Sequence, residues 1–247
     1  MREKRLWVQI NRRSVEEPID FVRCSNLVGN LFTFKLPPII VKGIRKVNID
    51  FANHDDALLI GGLDSILTIV ETFPFDLFDT ADLHGKIALL ADRTYKCLML
   101  VYQHLNLDVE QLNIGYKKIL DDDFVLTHIL FGGPKQNRNR SIKATVKADF
   151  LIDYTSVNII FLNKKDIVIN EIPLFKTIPG WLFYSLLLKT CKWIDGETFE
   201  MSNGSKEINF RVNINRQITM HYLPVNRDVD GIKEEIQFLT LESYFDL

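Results

Sequence analysis

Between Thr80 and Asn106 the apolar residues Leu83, Ile87, Leu90, Ala91, Leu98, Val101 and Leu105 recur every three or four positions, with Thr94 in the same stripe. This spacing predicts the main helix of the chain, its stripe buried against β-sheet. Asp79 or Thr80 is placed to cap it, with Asp82 favourably in its first turn. A second helix is expected from Asp108 to about Leu120, where Asp108 and Gln111 have the spacing of a capping box. Elsewhere the apolar period is mostly two. Leu6, Val8 and Ile10, then Leu31 to Leu36 and Val47 to Phe51, read as strands punctuated by the turn signals Glu17-Pro18, Gly29-Asn30 and Pro37-Pro38. Ala57 to Ile60 and Ile66 to Val70 flank Gly61-Gly62, and Pro74 closes the strand region.

Beyond Asp123 the alternation returns in Phe124 to Phe131, Ile142 to Phe150, Tyr154 to Leu162 and Ile167 to Ile172. Pro179-Gly180 then opens an expected long apolar helix from Trp181 to Ile194. Ile208 to Ile214 and Gln217 to Leu223 read as a closing hairpin, and Ile232 to Leu241 fits helix or strand equally. The expectation is an α+β chain of mainly antiparallel sheets with two long core helices, organised as segments 1–122 and 123–247, with a single compact domain of both as the alternative. A 99-residue offset aligns Val47, Asp50, Phe51, Leu63, Pro74, Leu83 and Leu89 with Val146, Asp149, Phe150, Leu162, Pro173, Leu182 and Leu188. That register is compatible with duplicated strand, strand, proline, helix units, and equally with chance echoes in any α+β chain.

Composition narrows the class. The chain has 247 residues, 47% hydrophobic and 25% charged, the balance of a globular protein with a substantial core. The opening MREKRLWVQINRRSVEE has no apolar region of signal-peptide length, and no run approaches a membrane span, so a cytoplasmic protein with no membrane partner is expected. Cys24, Cys97 and Cys191 are too scattered for a disulfide framework or zinc site and read as reduced core residues.

Charge changes the picture further. No Lys or Arg occurs from Val47 to Gly85, where Asp50, Asp55, Asp56, Asp64, Glu71, Asp76, Asp79 and Asp82 stand. Phe124 to Ala148 holds Lys135, Arg138, Arg140, Lys143 and Lys147 and no acid. The expected partner surface is therefore acidic, formed by Asp55, Asp56, Asp64, Asp76, Asp79 and Asp82, with a secondary basic loop of Lys135, Arg138, Arg140 and Lys143. The partner implied is a cationic protein. Nucleic acid is disfavoured, because the basic loop has no interleaved aromatics on which bases would stack.

Signals for chemistry are weak. The five histidines have no i, i+3 or i, i+4 pair for a helical zinc site. His54-Asp55-Asp56 lacks the helical context of a metal-binding His-Asp pair. Asp79-Thr80-Ala81 matches an aspartic-protease triplet but lacks a second aspartate in register, so a helix cap explains it better. Asp121 to Asp123, with Asp55 and Asp56, carry the alternative of a metal-dependent hydrolase; a nucleic-acid-binding module on the basic loop is a second alternative. No catalytic residue, cofactor or resident metal is singled out. With its acidic block from Asp50 to Asp82 and its opening LWVQINRRSVEEP, the chain resembles the immunity proteins of bacterial polymorphic toxin systems. The resemblance implies a protein-binding role, covering the active site of a cognate toxin.

Overall fold

The computed structural model describes residues 6–13, 18–39, 41, 43–53, 58–63, 65–177, 188–204, 206 and 208–222, with the backbone alone for 58–63, 177 and 220–222. The fold is α+β, and the chain divides into two compact units, 1–126 with 151–153, and 127–150 with 154–247.

Unit 1 carries β1 (Trp7–Arg12), α1 (Ile19–Lys35), β2 (Lys46–Ala52), β3 (Leu58–Leu63), β4 (Ile66–Thr72), α2 (Phe75–Thr80), α3 (Leu83–His104) and α4 (Val109–Asp121). Its sheet has the order β1-β2-β4-β3. Val8, Ile10, Val47, Ile49, Phe51, Leu67 and Ile69 are buried at alternate positions of three strands. Helix α1 packs on β1, and α1, α3 and α4 pack on one another. The α3 stripe is buried as expected at Ile87, Leu90, Ala91, Thr94, Leu98 and Val101. Asp82, not Asp79 or Thr80, caps this helix, its carboxylate accepting from the Gly85 amide at 2.7 Å, because Phe75 to Thr80 form the separate short helix α2. Asp108 caps α4 through the Glu110 amide at 3.0 Å.

Two expectations for this unit are corrected together. Leu31 to Leu36 is not a strand but the end of α1, whose buried Phe21, Cys24, Ser25, Val28, Leu31 and Phe32 follow a helical period. Pro18 occupies the N-cap of α1 and starts the helix. Gly29-Asn30 is no turn: a Cβ on Gly29 would lie 2.8 Å from the Val8 carbonyl oxygen, so the glycine permits close approach of α1 to β1. With α1 as a crossover, β1 and β2 run parallel, as do β2 and β4; only β3 is antiparallel, to β4. A parallel pair needs such a crossover, and reading α1 as strand concealed it.

Among the described residues unit 2 is built mainly of strands. One sheet has the order β5 (Leu126–Ile129), β7 (Ile142–Phe150), β8 (Thr155–Asn163), β9 (Val168–Thr177), with β6 (Lys135–Gln136) also on β7. The other has the order β10 (Thr190–Trp193), β11 (Thr198–Ser202), β12 (Ile208–Asn213), β13 (Ile218–Tyr222). Strands β6 to β9 and β10 to β13 pair antiparallel. Ring contacts join them, Phe161 to Trp193 at 5.8 Å and Phe175 to Phe210 at 5.3 Å. The long helix expected from Trp181 to Ile194 is corrected at its C-terminal part, where Thr190–Trp193 pairs with β11 and buries Cys191 against the core side; residues 178–187 lie outside the described residues, as does Ile232 to Leu241. Among the described residues the 99-residue register finds no matching topology. It sets parallel β2 against antiparallel β7, and Pro74, the N-cap of α2, against Pro173 inside β9. All three cysteines are free and buried, and burial pushes the Cys24 and Cys97 thiols up to about 12. Among the described residues no helix is long and apolar enough to cross a membrane.

Candidate partner-binding surface

The most prominent exposed feature of unit 1 rests on an aromatic cluster. Phe73 meets Phe51 at 4.6 Å and Phe75 at 4.9 Å, and Phe21 meets Phe78 at 5.4 Å. Pro74 turns the chain from β4 into α2, and the i, i+3 spacing of Phe75 and Phe78 buries both rings. That anchoring leaves Asp76, Leu77, Asp79 and Thr80 exposed, and Leu77 is 64% exposed. The Thr80 hydroxyl donates to the Asp76 carbonyl at 2.9 Å, bracing the short helix. Asp82 follows immediately, also exposed.

The segment lacking cations in sequence does not lack them in space. The Arg12 guanidinium lies 4.0 Å over the Phe75 ring and 3.9 Å from the Asp79 carboxylate. Asp50 accepts from the Asn11 carboxamide at 2.8 Å and lies 3.5 Å from Arg13. Lys86 donates to Asp20 at 2.8 Å with its ammonium 5.5 Å over the Phe78 ring, and that hydrogen bond raises its pKa. Lys86 adjoins the stretch Val47 to Gly85, whereas Arg12 and Arg13 come from the end of β1, before α1. The structure thus brings Asp76, Asp79 and Asp82 together on one exposed knuckle. Asp79 shares Arg12, Asp82 caps α3, and among the described residues no cation pairs with Asp76. Asp55, Asp56 and Asp64 lie outside the described residues. Sequence reasoning missed Leu77 and Arg12; the run FPFDLFDT held the signal for the first, since inward Phe75 and Phe78 leave Leu77 outward.

Several of the other candidates have ordinary local partners. Lys35 donates to Asp122 and lowers its pKa, while the His84 imidazole is 2.9 Å from Asp123 with its ring edge-on to Phe124. Among the described residues no group of three or more His, Cys, Asp or Glu is arranged to hold a metal ion. In the basic loop, Lys135 donates to the Cys191 carbonyl at 3.1 Å and Lys143 to Asp166 at 2.6 Å. Lys147 bridges Asp149 and Glu171, both at 2.9 Å. Asn137 ties the loop down, its carboxamide accepting from the Ser141 amide at 2.9 Å and donating to the Gly196 carbonyl at 2.8 Å. Arg138 and Arg140 are exposed.

No protein-family model matches the chain, and no curated protein or solved structure matches it either.

Proposed function

We propose that this chain is a non-catalytic binding protein of the immunity type, which neutralises a cognate toxin by engaging a cationic surface through the knuckle formed by α2 and the start of α3. The observation that carries the reading is the outward face of α2, where an exposed leucine stands between two exposed aspartates on a foundation of buried phenylalanines. An apolar anchor with an acidic surround is suited to a basic protein surface, because the charges steer encounter and the leucine supplies desolvated contact. Such a surface mimics the anionic substrate that a basic toxin active site normally handles.

The test begins with capture of partners from the native host on the tagged chain, followed by kinetics on the purified pair. Asp76→Lys with Asp79→Lys should slow association and flatten its salt dependence while circular dichroism stays unchanged. Association at the wild-type rate with an unchanged salt slope would remove α2 from the interface.

A further inference from the structure

The hairpin joining β8 to β9 in unit 2 carries a second exposed feature, of opposite charge. Its turn is braced from within. The Asn163 carboxamide oxygen accepts from the amides of Lys165 at 2.8 Å and Ile167 at 3.1 Å, the Asn163 amide donates to the Ile167 carbonyl at 2.9 Å, and the Asp166 amide donates to the Asn163 carbonyl at 3.1 Å. Immediately after it come Ile167, Val168 and Ile169, which are 59%, 54% and 49% exposed. Three consecutive exposed aliphatic residues at a hairpin tip form a wedge, unlike the single isoleucines and leucines scattered on the helices.

Strand β9 is an edge of its sheet among the described residues, yet it is poorly suited to accept another strand. Its register shifts twice, leaving Ile169 and Leu174 unopposed, and Pro173 between them has no amide to donate. Whatever covers the wedge therefore meets its side chains, not its backbone. The collar around it is cationic. Lys164 and Lys165 are exposed, and among the described residues no carboxylate pairs with either. Arg216 joins them, its guanidinium donating to the Asn170 carboxamide at 3.1 Å. The two nearest acids are already engaged, Asp166 by Lys143 and Glu171 by Lys147.

We propose that this tip docks on an anionic phospholipid surface, Ile167, Val168 and Ile169 entering the boundary between headgroups and acyl chains while Lys164, Lys165 and Arg216 meet the phosphates. With the amides of Asn163, Lys165, Asp166 and Ile167 bonded within the turn, the tip carries few open donors into the headgroup boundary, and a bilayer accepts a wedge without a matching pocket. Juxtaposed basic residues supply the attraction that a short apolar segment alone lacks. The tip has no aromatic platform, which disfavours nucleic acid. The absence of a spanning helix among the described residues does not bear on such peripheral contact.

The experiment is sedimentation of the full chain with vesicles of phosphatidylcholine alone and of phosphatidylcholine with phosphatidylserine. Binding is expected only to the second and should fall with added salt. Lys164→Ala with Lys165→Ala should weaken partitioning by roughly 30-fold, taking about 1 kcal/mol for each cation near the surface. Ile167→Ser with Ile169→Ser should weaken it while leaving the melting temperature unchanged, since both side chains are exposed. No binding to the anionic vesicles, equal binding to both compositions, or variants that partition like the wild type would each overturn the proposal. So would a dimer in light scattering that the isoleucine variant disrupts, which would make the tip a contact between copies of this chain.

Discussion

Arg12, at the end of β1, lays its guanidinium 4.0 Å over the ring of Phe75 and reaches Asp79 at 3.9 Å, so one cation serves both the buried and the exposed side of α2. The two halves of that contact differ in weight. The Asp79 side chain is about half exposed and the ion pair is long, so it contributes little once screened by solvent. The stacked, mostly covered Arg12 side chain contributes more. Asp79→Asn is expected to cost under about 1 kcal/mol, and Arg12→Ala about 1 to 2 kcal/mol, read from urea denaturation midpoints at constant slope. Equal losses would make the ion pair, not the stacking, the anchor of α2.

Burial separates the inward and outward faces of the helices in the same assay. Leu98 and Phe78 are fully buried while Leu77 is largely exposed. Leu98→Ala should destabilise by about 2 to 5 kcal/mol and Phe78→Ala by about 3 to 5 kcal/mol. Leu77→Ala should change stability by no more than about 0.5 kcal/mol. A Leu98→Ala loss below that last figure would place the α3 stripe in solvent.

These contrasts also mark what could be read from the sequence. The α3 stripe, the Asp108 cap and the alternation of β7 and β8 were legible because each is a local pattern that packing reinforces. Helix α1 was not, since its last turns, LFTFKL, alternate as a strand does, and its glycine serves an approach to Val8 that only the folded chain reveals. Missing that one helix also hid the parallel pairing of β1 with β2, whereas β2 and β4 are parallel because β3 returns antiparallel on the far side of β4. The acidic surface was legible only in part. Asp76, Asp79 and Asp82 do share one exposed region, but charge along the chain is not charge in space: Arg12 and Arg13, at the end of β1, and Lys86 in α3 pair with acids of this unit.

Gly29 supplies a direct check on the crossover. A methyl group there would meet the Val8 carbonyl oxygen at 2.8 Å, backbone against backbone, with no flexible side chain to give way. Gly29→Ala should therefore cost about 1 to 3 kcal/mol despite the better helix propensity of alanine. A gain in stability would mean that α1 and β1 are farther apart than described.

Glu200 gives unit 2 an acid-sensitive element. Burial raises its pKa, but hydrogen bonds from Arg211 at 2.9 Å and the cross-strand Lys192, 3.3 Å away, outweigh that and bring it below the ordinary 4.5. A carboxylate with a depressed folded-state pKa stabilises the fold above its unfolded value and loses that contribution as pH falls through the folded value. The stability difference between wild type and Glu200→Gln should be greatest near neutral pH and shrink below about 4.5. A difference that stayed constant into acid would show that the two cations do not favour the charged form.

The knuckle on α2 should divide its work between the rate of encounter and the lifetime of the complex. Asp76 and Asp79 are exposed charges, and charges at a rim act at a distance of about a Debye length, before contact is made. Leu77 has no long-range field and acts only once water has left the interface, where well-packed apolar anchors hold partners together. Against the partner captured from the native host, Asp76→Asn with Asp79→Asn should therefore lower the association rate and flatten its dependence on salt, leaving dissociation almost unchanged. Leu77→Ala should raise the dissociation rate by about tenfold or more, the equivalent of about 1.4 kcal/mol, with association and its salt slope preserved. Both variants keep the phenylalanine foundation, so the melting temperature serves as the control for folding. If Leu77→Ala dissociated at the wild-type rate while the aspartate variant still slowed association, the acids would be steering the partner to a contact elsewhere, and α2 would be the approach to the interface instead of its centre.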